Sequence, residues 1–311
     1  MTYKNYLLLA MIGLIWGSQF VFQDVAVAEI SPLWVGVSRA VIGALTLALL
    51  CRGLKLRSRC HSYSQWGLFA LIGLLEATIP FVLVPWGQQQ LDSAVVAVLM
   101  GTIPFFALLG APLLIRGATI TRHGLMSVLL GFGGLVLLFW PALSSGIGTV
   151  DLVRGLAVMG AAASFAVALL LLNRVKGVHP LIVARNVLAM ASVQLVLMAF
   201  VVSPLEAGGH SNRALASVFY LGVMCAGVVY YLYMALLQRT GPVFTSMTNY
   251  LVPAIGVVIG AVFNHEAVAP TTWLALAVIV GALMLNKLPS GENKARSTPR
   301  GVPTTGESAA G

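Results

Sequence analysis

WGLFALIGLLEATIPFVLVPWGQQQL, residues 66–91, decides how this chain is read. From Trp66 to Pro85 the stretch is apolar and long enough to cross a bilayer, which takes about 20 residues, yet Glu76 stands near its midpoint. A carboxylate at that depth costs about 2.5–3.5 kcal/mol on insertion scales. Three arrangements make such an acid tolerable. It is hydrogen-bonded in neutral form to a neighbouring helix, it lines a polar cavity, or it binds and releases protons.

The rest of the chain supports a lipid solvent. Hydrophobic residues fill 59% of the 311 positions and charged ones 9%, against about 25% charged in a soluble domain. The net charge of +9 does not indicate nucleic-acid binding, because the basic residues sit in connections between apolar runs, where they set topology. Cys51, Cys60 and Cys225 show neither CxxC spacing nor an evident pairing. His61, His123, His179, His210 and His265 fall in loops or at run ends, so neither a metal nor a cofactor is expected. The apolar run after Lys4 lacks a small-x-small cleavage site and reads as a retained first span.

Ten runs have the length of a membrane helix: 5–27, 32–51, 66–86, 93–115, 123–141, 155–173, 181–203, 215–237, 243–263 and 270–287. Backbone groups in lipid must be satisfied within their own segment, so all ten are expected as α-helices. An even number puts both termini on one side. Fourteen of the 18 Lys and Arg residues, from Lys4 and Arg52 to Lys287 and Arg300, collect there, with Arg154 and Arg213 opposite and Arg39 and Arg185 inside runs. That imbalance predicts cytoplasmic termini in a plasma membrane, a bacterial inner membrane by the family reading below. Residues 289–311 are polar and rich in Ser, Thr, Pro and Gly, which predicts a disordered cytoplasmic tail.

An internal repeat is also legible. At an offset of 149, Gly73 falls on Gly222, Phe81 on Tyr230, Gln89 on Gln238 and Pro104 on Pro253. Ser31-Pro32-Leu33 matches His179-Pro180-Leu181 at an offset of 148. Five spans per unit is an odd number, so the second unit enters the membrane from the other side. The expected fold is an all-α integral membrane protein of ten transmembrane helices in two inverted five-helix repeats, 1–141 and 142–288. Such repeats are typical of secondary transporters.

These residues also carry a resemblance. LIWGSQFVFQ (14–23), SPLWVGVSRAVIGAL (31–45), SAVVAVLMGTIPFFALLGAPLLI (93–115) and SMTNYLVPAIGVVIGAVFNHEAV (246–268) are similar, in this order, to the EamA-type families of the drug/metabolite transporter superfamily. The resemblance spans about residues 5–288 and implies export of amino acids, other metabolites or toxic compounds. The outward direction comes from the resemblance alone. The family's acid after the fourth and ninth spans is present as Glu266, whereas Arg116 and Gly117 stand at the earlier position.

Candidate substrate-binding residues follow from depth and helical spacing. Glu76 is the first. Arg39 either snorkels to the outer interface or pairs with a carboxylate, that of Glu76 or of a substrate. Trp16, Gln19 and Gln23 share one face of the first span at i, i+3 and i+7. Ser246, Asn249, Tyr250 and Pro253 form a stripe in the ninth, which helix–helix hydrogen bonding explains as well as a pore does. Tyr230 belongs to an aromatic cluster that either receives an apolar group or is structural. Pro104 and Pro253, repeat mates, are hinge candidates because each removes a backbone hydrogen bond.

The expected function is secondary transport of a small amphipathic molecule by alternating access, with the lipid bilayer as surroundings and protons as a candidate coupling ion. One chain suffices for a complete pathway, so a monomer is expected. The alternatives are an intramembrane enzyme and a flippase without proton coupling. HEAVA (265–269) lacks the second His of HExxH and no GxSxG occurs, which disfavours an enzyme.

Overall fold

The computed structural model describes residues 3–56, 62–91, 93–146, 152–202, 209–252, 254–255 and 270–285. Among them every regular element is helical: α1 (Tyr3–Val27), α2 (Pro32–Gly53), α3 (Tyr63–Gly73), a first π-helical turn (Leu74–Thr78), α4 (Ile79–Gln88), α5 (Ser93–Met100), α6 (Ile103–Leu114) and α7 (Arg122–Gly146). The second half continues with α8 (Leu152–Leu172), α9 (Pro180–Val202), α10 (Asn212–Gly222), a second π-helical turn (Val223–Val228), α11 (Val229–Thr240), α12 (Pro242–Ser246) and α13 (Pro270–Leu285). Pro253, Glu266 and the 289–311 tail lie outside the described residues.

The helix starts follow local chemistry. Pro32, Pro180, Pro242 and Pro270 open their helices, where a missing N–H costs nothing. Ser62 and Gln65 form a capping box at α3. Ser211 caps α10 by accepting from the Ala214 N–H at 3.2 Å.

Among the described residues, six helical stretches are long and apolar enough to cross a membrane: Tyr3–Val27, Pro32–Gly53, Tyr63–Gln88, Leu152–Leu172, Pro180–Val202 and Asn212–Thr240. Large apolar side chains such as Leu49, Leu113, Phe200 and Trp273 stand exposed on the outside of the bundle, as a lipid-facing surface requires.

Two expected spans are not single helices. The fourth breaks at Gly101-Thr102 into α5 and α6, and Pro104 occupies the first turn of α6. The hinge candidate Pro104 therefore does not bend a continuous helix: it sits where its missing N–H has no intrahelical partner to lose. The ninth is interrupted at Met247, after α12, and residues 248–252 and 254–255 are again helical.

Packing runs mostly between the two halves of the sequence. α2 lies chiefly against α9 and the second π-turn, α4 and α6 against α8, and α1 against α10 and α11. Small residues allow the closest approaches. A Cβ on Gly73 would come within 2.7 Å of the Val187 carbonyl and 3.4 Å of Met190 Cβ on α9, and one on Gly222 within 2.5 Å of Ile42 Cβ on α2.

Candidate functional site

The two π-turns lie at the centre of the bundle, and each has a carbonyl used by another helix. Pro80 has no N–H to give the carbonyl four residues back, and that carbonyl, of Glu76, accepts the Tyr230 hydroxyl at 3.3 Å. The other groups of this turn are held from the second half of the chain. Gln194 donates to the Ala70 carbonyl at 2.9 Å and accepts from Thr78 at 2.8 Å, and Ser164 donates to the Leu75 carbonyl at 3.0 Å. In the second π-turn the Cys225 carbonyl accepts from Trp16 Nε1 at 3.1 Å and from Arg39 Nη2 at 3.2 Å. π-turns inside α-helices occur often at functional sites.

A pocket of about 850 Å³, counted out to its open mouth, lies between these turns. It is walled by Phe81, Phe165, Val84, Met100 and Val252, with polar groups from Gln19, Gln23, Arg39, Glu76 and Asn249. Trp16 and Tyr230 join the lining, and behind Trp16 an aromatic cluster continues to Tyr233, at 5.1 Å between ring centroids.

Arg39 and Glu76 face this pocket without pairing. Glu76 is 1% exposed and neither carboxyl oxygen has a hydrogen-bond partner among the described residues. Arg39 is 7% exposed, which excludes snorkelling. Its Nη2 donates to Gln19 Oε1 at 2.7 Å, its Nη1 to Gln23 Oε1 at 3.4 Å, and its guanidinium lies 4.5 Å from the Phe81 ring centroid. Gln23 in turn donates to Gln88 Oε1. Three amide or carbonyl oxygens and one aromatic face thus hold the guanidinium, which makes no ion pair among the described residues.

Of the candidates, Trp16, Gln19, Gln23, Arg39, Glu76, Tyr230 and Asn249 line the one pocket. Ser246 and Tyr250 do not. The Ser246 hydroxyl donates to the Val243 carbonyl of its own helix at 2.7 Å. The Tyr250 hydroxyl donates to the Val128 carbonyl of α7 at 3.0 Å, with its ring packed against Gly131. Shared helical spacing puts residues on one face but does not say what that face meets. Phe81, Phe165, Met100 and Gln88 were not singled out by the sequence. Phe81, the repeat mate of Tyr230, carried a usable signal. Arg154 of α8 donates to the Trp86 carbonyl of α4 and lies over its ring at 4.5 Å.

A solved crystal structure shares this fold, with a TM-score of 0.77 at 17% identity, over 92% of this chain and 97% of that one. The chain is 27% identical over 290 residues to the uncharacterized inner membrane transporter YedA of Escherichia coli K12, covering 88% of this chain and 87% of that protein. It is 24% identical to the uncharacterized transporter YvbV of Bacillus subtilis, over 94% of each. The model of the EamA-like transporter family matches twice, at residues 4–140 and 154–287. The chain belongs to the EamA-like transporter family.

Proposed function

We propose that this protein is a secondary transporter of a small zwitterionic or otherwise amphipathic metabolite, an amino acid or a molecule like one. The observation that carries this reading is the unpaired couple in the pocket. A buried guanidinium and a buried carboxyl share one cavity and leave each other unsatisfied, while the remaining walls are mostly apolar and aromatic. A carboxylate on the solute meets Arg39, an ammonium meets Glu76, and an apolar body lies among Phe81, Phe165 and Tyr230. Gln19, Gln23 and Asn249 supply neutral polar contacts.

The working architecture is ten membrane helices in two inverted repeats, 1–141 and 142–288, with a tail at 289–311. The two separate family matches support it. So do the paired π-turns, which start at Leu74 and Val223, 149 residues apart. A further support is that Gly73 meets Met190 while Gly222 meets Ile42, contacts related by the same offsets that align the sequence halves. Two such bundles rocking about the pocket would expose it alternately, with Pro104 and Pro253 near the flexing ends. The charge asymmetry supports cytoplasmic termini and an inner-membrane location, and family membership supports export. Glu76, whose carboxyl has no hydrogen-bond partner among the described residues, is the group that would bind a coupling proton. A single chain is the transport unit.

The test is flux of radiolabelled L-phenylalanine in proteoliposomes holding only this chain, beside phenethylamine and phenylacetate, which each lack one charge. The zwitterion is expected to move faster than either. Equal rates for all three would remove the charge-pair reading. Chemically altered product would indicate an enzyme, and movement of labelled lipid alone a flippase.

A further inference from the structure

We infer that Arg39 couples occupancy of the pocket to the second π-turn, holding that turn when the pocket is empty and releasing it when a carboxylate arrives. The inference relies on the transport reading only for the nature of the occupant.

Four segments meet at this one guanidinium: α1 through Gln19 and Gln23, α4 through the Phe81 ring, α2 through its own backbone, and the second π-turn through the Cys225 carbonyl. Every oxygen it now contacts is neutral, and Nε has no partner among the described residues. A carboxylate is held best by two parallel N–H groups, and its charge-assisted bonds are about twice as strong as bonds to a neutral oxygen. An anion entering the pocket therefore draws the fork towards itself. The contact given up most readily is a long one shared by a single nitrogen. The Nη2 bond to Cys225 fits that description: at 3.2 Å it is the longer of two bonds from one nitrogen, the other going to Gln19 at 2.7 Å, whereas the 3.4 Å contact to Gln23 has Nη1 to itself.

Losing that donor matters because of what the π-turn rests on. Its flank sits on α2 through glycines: a Cβ on Gly227 would meet Thr46 Cγ2 at 2.8 Å, and one on Gly43 would meet Ala226 Cβ at 2.7 Å. The turn therefore lies directly against α2 at those points, with the Thr46 side chain seated over Gly227. With the charged donor gone, the Trp16 indole is the side-chain donor left to the Cys225 carbonyl among the described residues. Arg39 thus belongs to the first half of the sequence, senses the solute, and restrains the segment of the second half that must move.

Cys225 reports on this directly. Its thiol is buried, donates to the Ile15 carbonyl at 3.4 Å, and is not part of the pocket lining, so an occupant does not shield it. The experiment measures N-ethylmaleimide alkylation of Cys225 in the purified full chain, by mass spectrometry of its peptide, together with amide exchange over 223–229. It is run with no addition, with benzoate, and with uncharged benzamide. Benzoate is expected to speed both readouts about tenfold, roughly the equilibrium worth of one hydrogen bond to a charged group, and benzamide is expected to do nothing. Arg39→Met is expected to label fast without addition and to ignore benzoate, whereas Arg39→Lys should restore slow labelling. Trp16→Phe, which keeps the guanidinium and removes the other donor, should respond to benzoate more than the wild type does. Unchanged wild-type rates with benzoate, or slow labelling in Arg39→Met, would overturn the inference. A chain that responds to benzoate but moves no amino acid in vesicles would sink the transport reading and leave this one standing.

Discussion

Pro80 stands four residues after Glu76 and has no N–H to offer its carbonyl, and that carbonyl takes the hydroxyl of Tyr230 at 3.3 Å. The missing N–H of Pro80 in α4 thus stands beside a bond from α11, at the depth of the pocket. The bond ties the first π-turn to the opposite half of the sequence.

Restoring the donor should undo that tie. Pro80→Ala supplies an N–H within the helix, so the thermal midpoint in detergent is expected to hold or rise while the initial rate of vesicle transport falls several-fold. Tyr230→Phe removes the same bond from the other side, at about 1 kcal/mol of stability. An unaltered transport rate in both variants would show that the free carbonyl has no part in function.

For Glu76 itself the expectation concerns coupling. Glu76→Gln keeps the shape and polarity but cannot exchange a proton. It should abolish uptake driven by a pH gradient while counterflow exchange persists, with KM for the zwitterion raised by loss of the charged contact to its ammonium. Accumulation against a gradient by this variant, with pH as the sole drive, rules out the coupling role.

Gly36 tests the closeness of α2 to α4. A Cβ there would lie 2.8 Å from the Phe81 backbone oxygen, a group that cannot swing aside. Gly36→Ala is expected to cost about 1–3 kcal/mol, the usual range for overpacking. Gly53→Ala, which meets nothing within 4 Å, should be neutral or slightly stabilising. Thermal unfolding of the two variants side by side checks the difference.

The ninth-span stripe can be divided by experiment. Ser246→Ala should leave KM for the transported solute unchanged, since its hydroxyl is spent within its own helix. Tyr250→Phe should lower stability by about 1 kcal/mol through loss of the bond to Val128, again with KM unmoved. Asn249→Ala should raise KM, because Asn249 alone of the three lines the pocket.

One pH dependence lies outside the membrane spans. Glu29, in the α1–α2 connection, accepts from the Ser211 hydroxyl at 2.6 Å and the Ser211 N–H at 2.7 Å. These bonds favour its charged form and hold its carboxyl below the ordinary value of 4.5. A lowered carboxylate pKa contributes stability that is present above the unfolded value and lost as pH falls through the folded one. The contact is therefore expected to persist at neutral pH and to fail only under stronger acid than an ordinary glutamate needs. Glu29→Gln should flatten the acid limb of the thermal midpoint between pH 6 and 3, and an identical limb in variant and wild type would refute this.

What the sequence disclosed is mostly what apolar run length and spacing can carry. Lipid exposure, the long helices at 3–27, 32–53 and 180–202, and the family all follow from such patterns, as does the shared face of Trp16, Gln19 and Gln23. The break at Gly101-Thr102 was hidden inside a continuous apolar run, because hydropathy does not register a turn between two short helices. The π-turns were hidden for a similar reason: an extra residue in a helix has no composition of its own, and Pro80 is the only trace of the first. Arg39 was open between interface and interior, since depth along one helix does not reveal the amides of Gln19 and Gln23 that receive it. Ser246 and Tyr250 were placed on the right helix face, but which neighbour that face meets is decided by residues more than 100 positions away in the Tyr250 case.

α2 spends its small-residue face on α9 and the second π-turn rather than on its own neighbours in the chain. During synthesis, then, the early helices enter the bilayer before their main contact surfaces have been translated. They must wait there, dispersed in lipid, until α9 and α10 emerge from the ribosome. Assembly of this protein is a late event, and a fragment ending near residue 146 would be inserted in the membrane and still lack most of its interior.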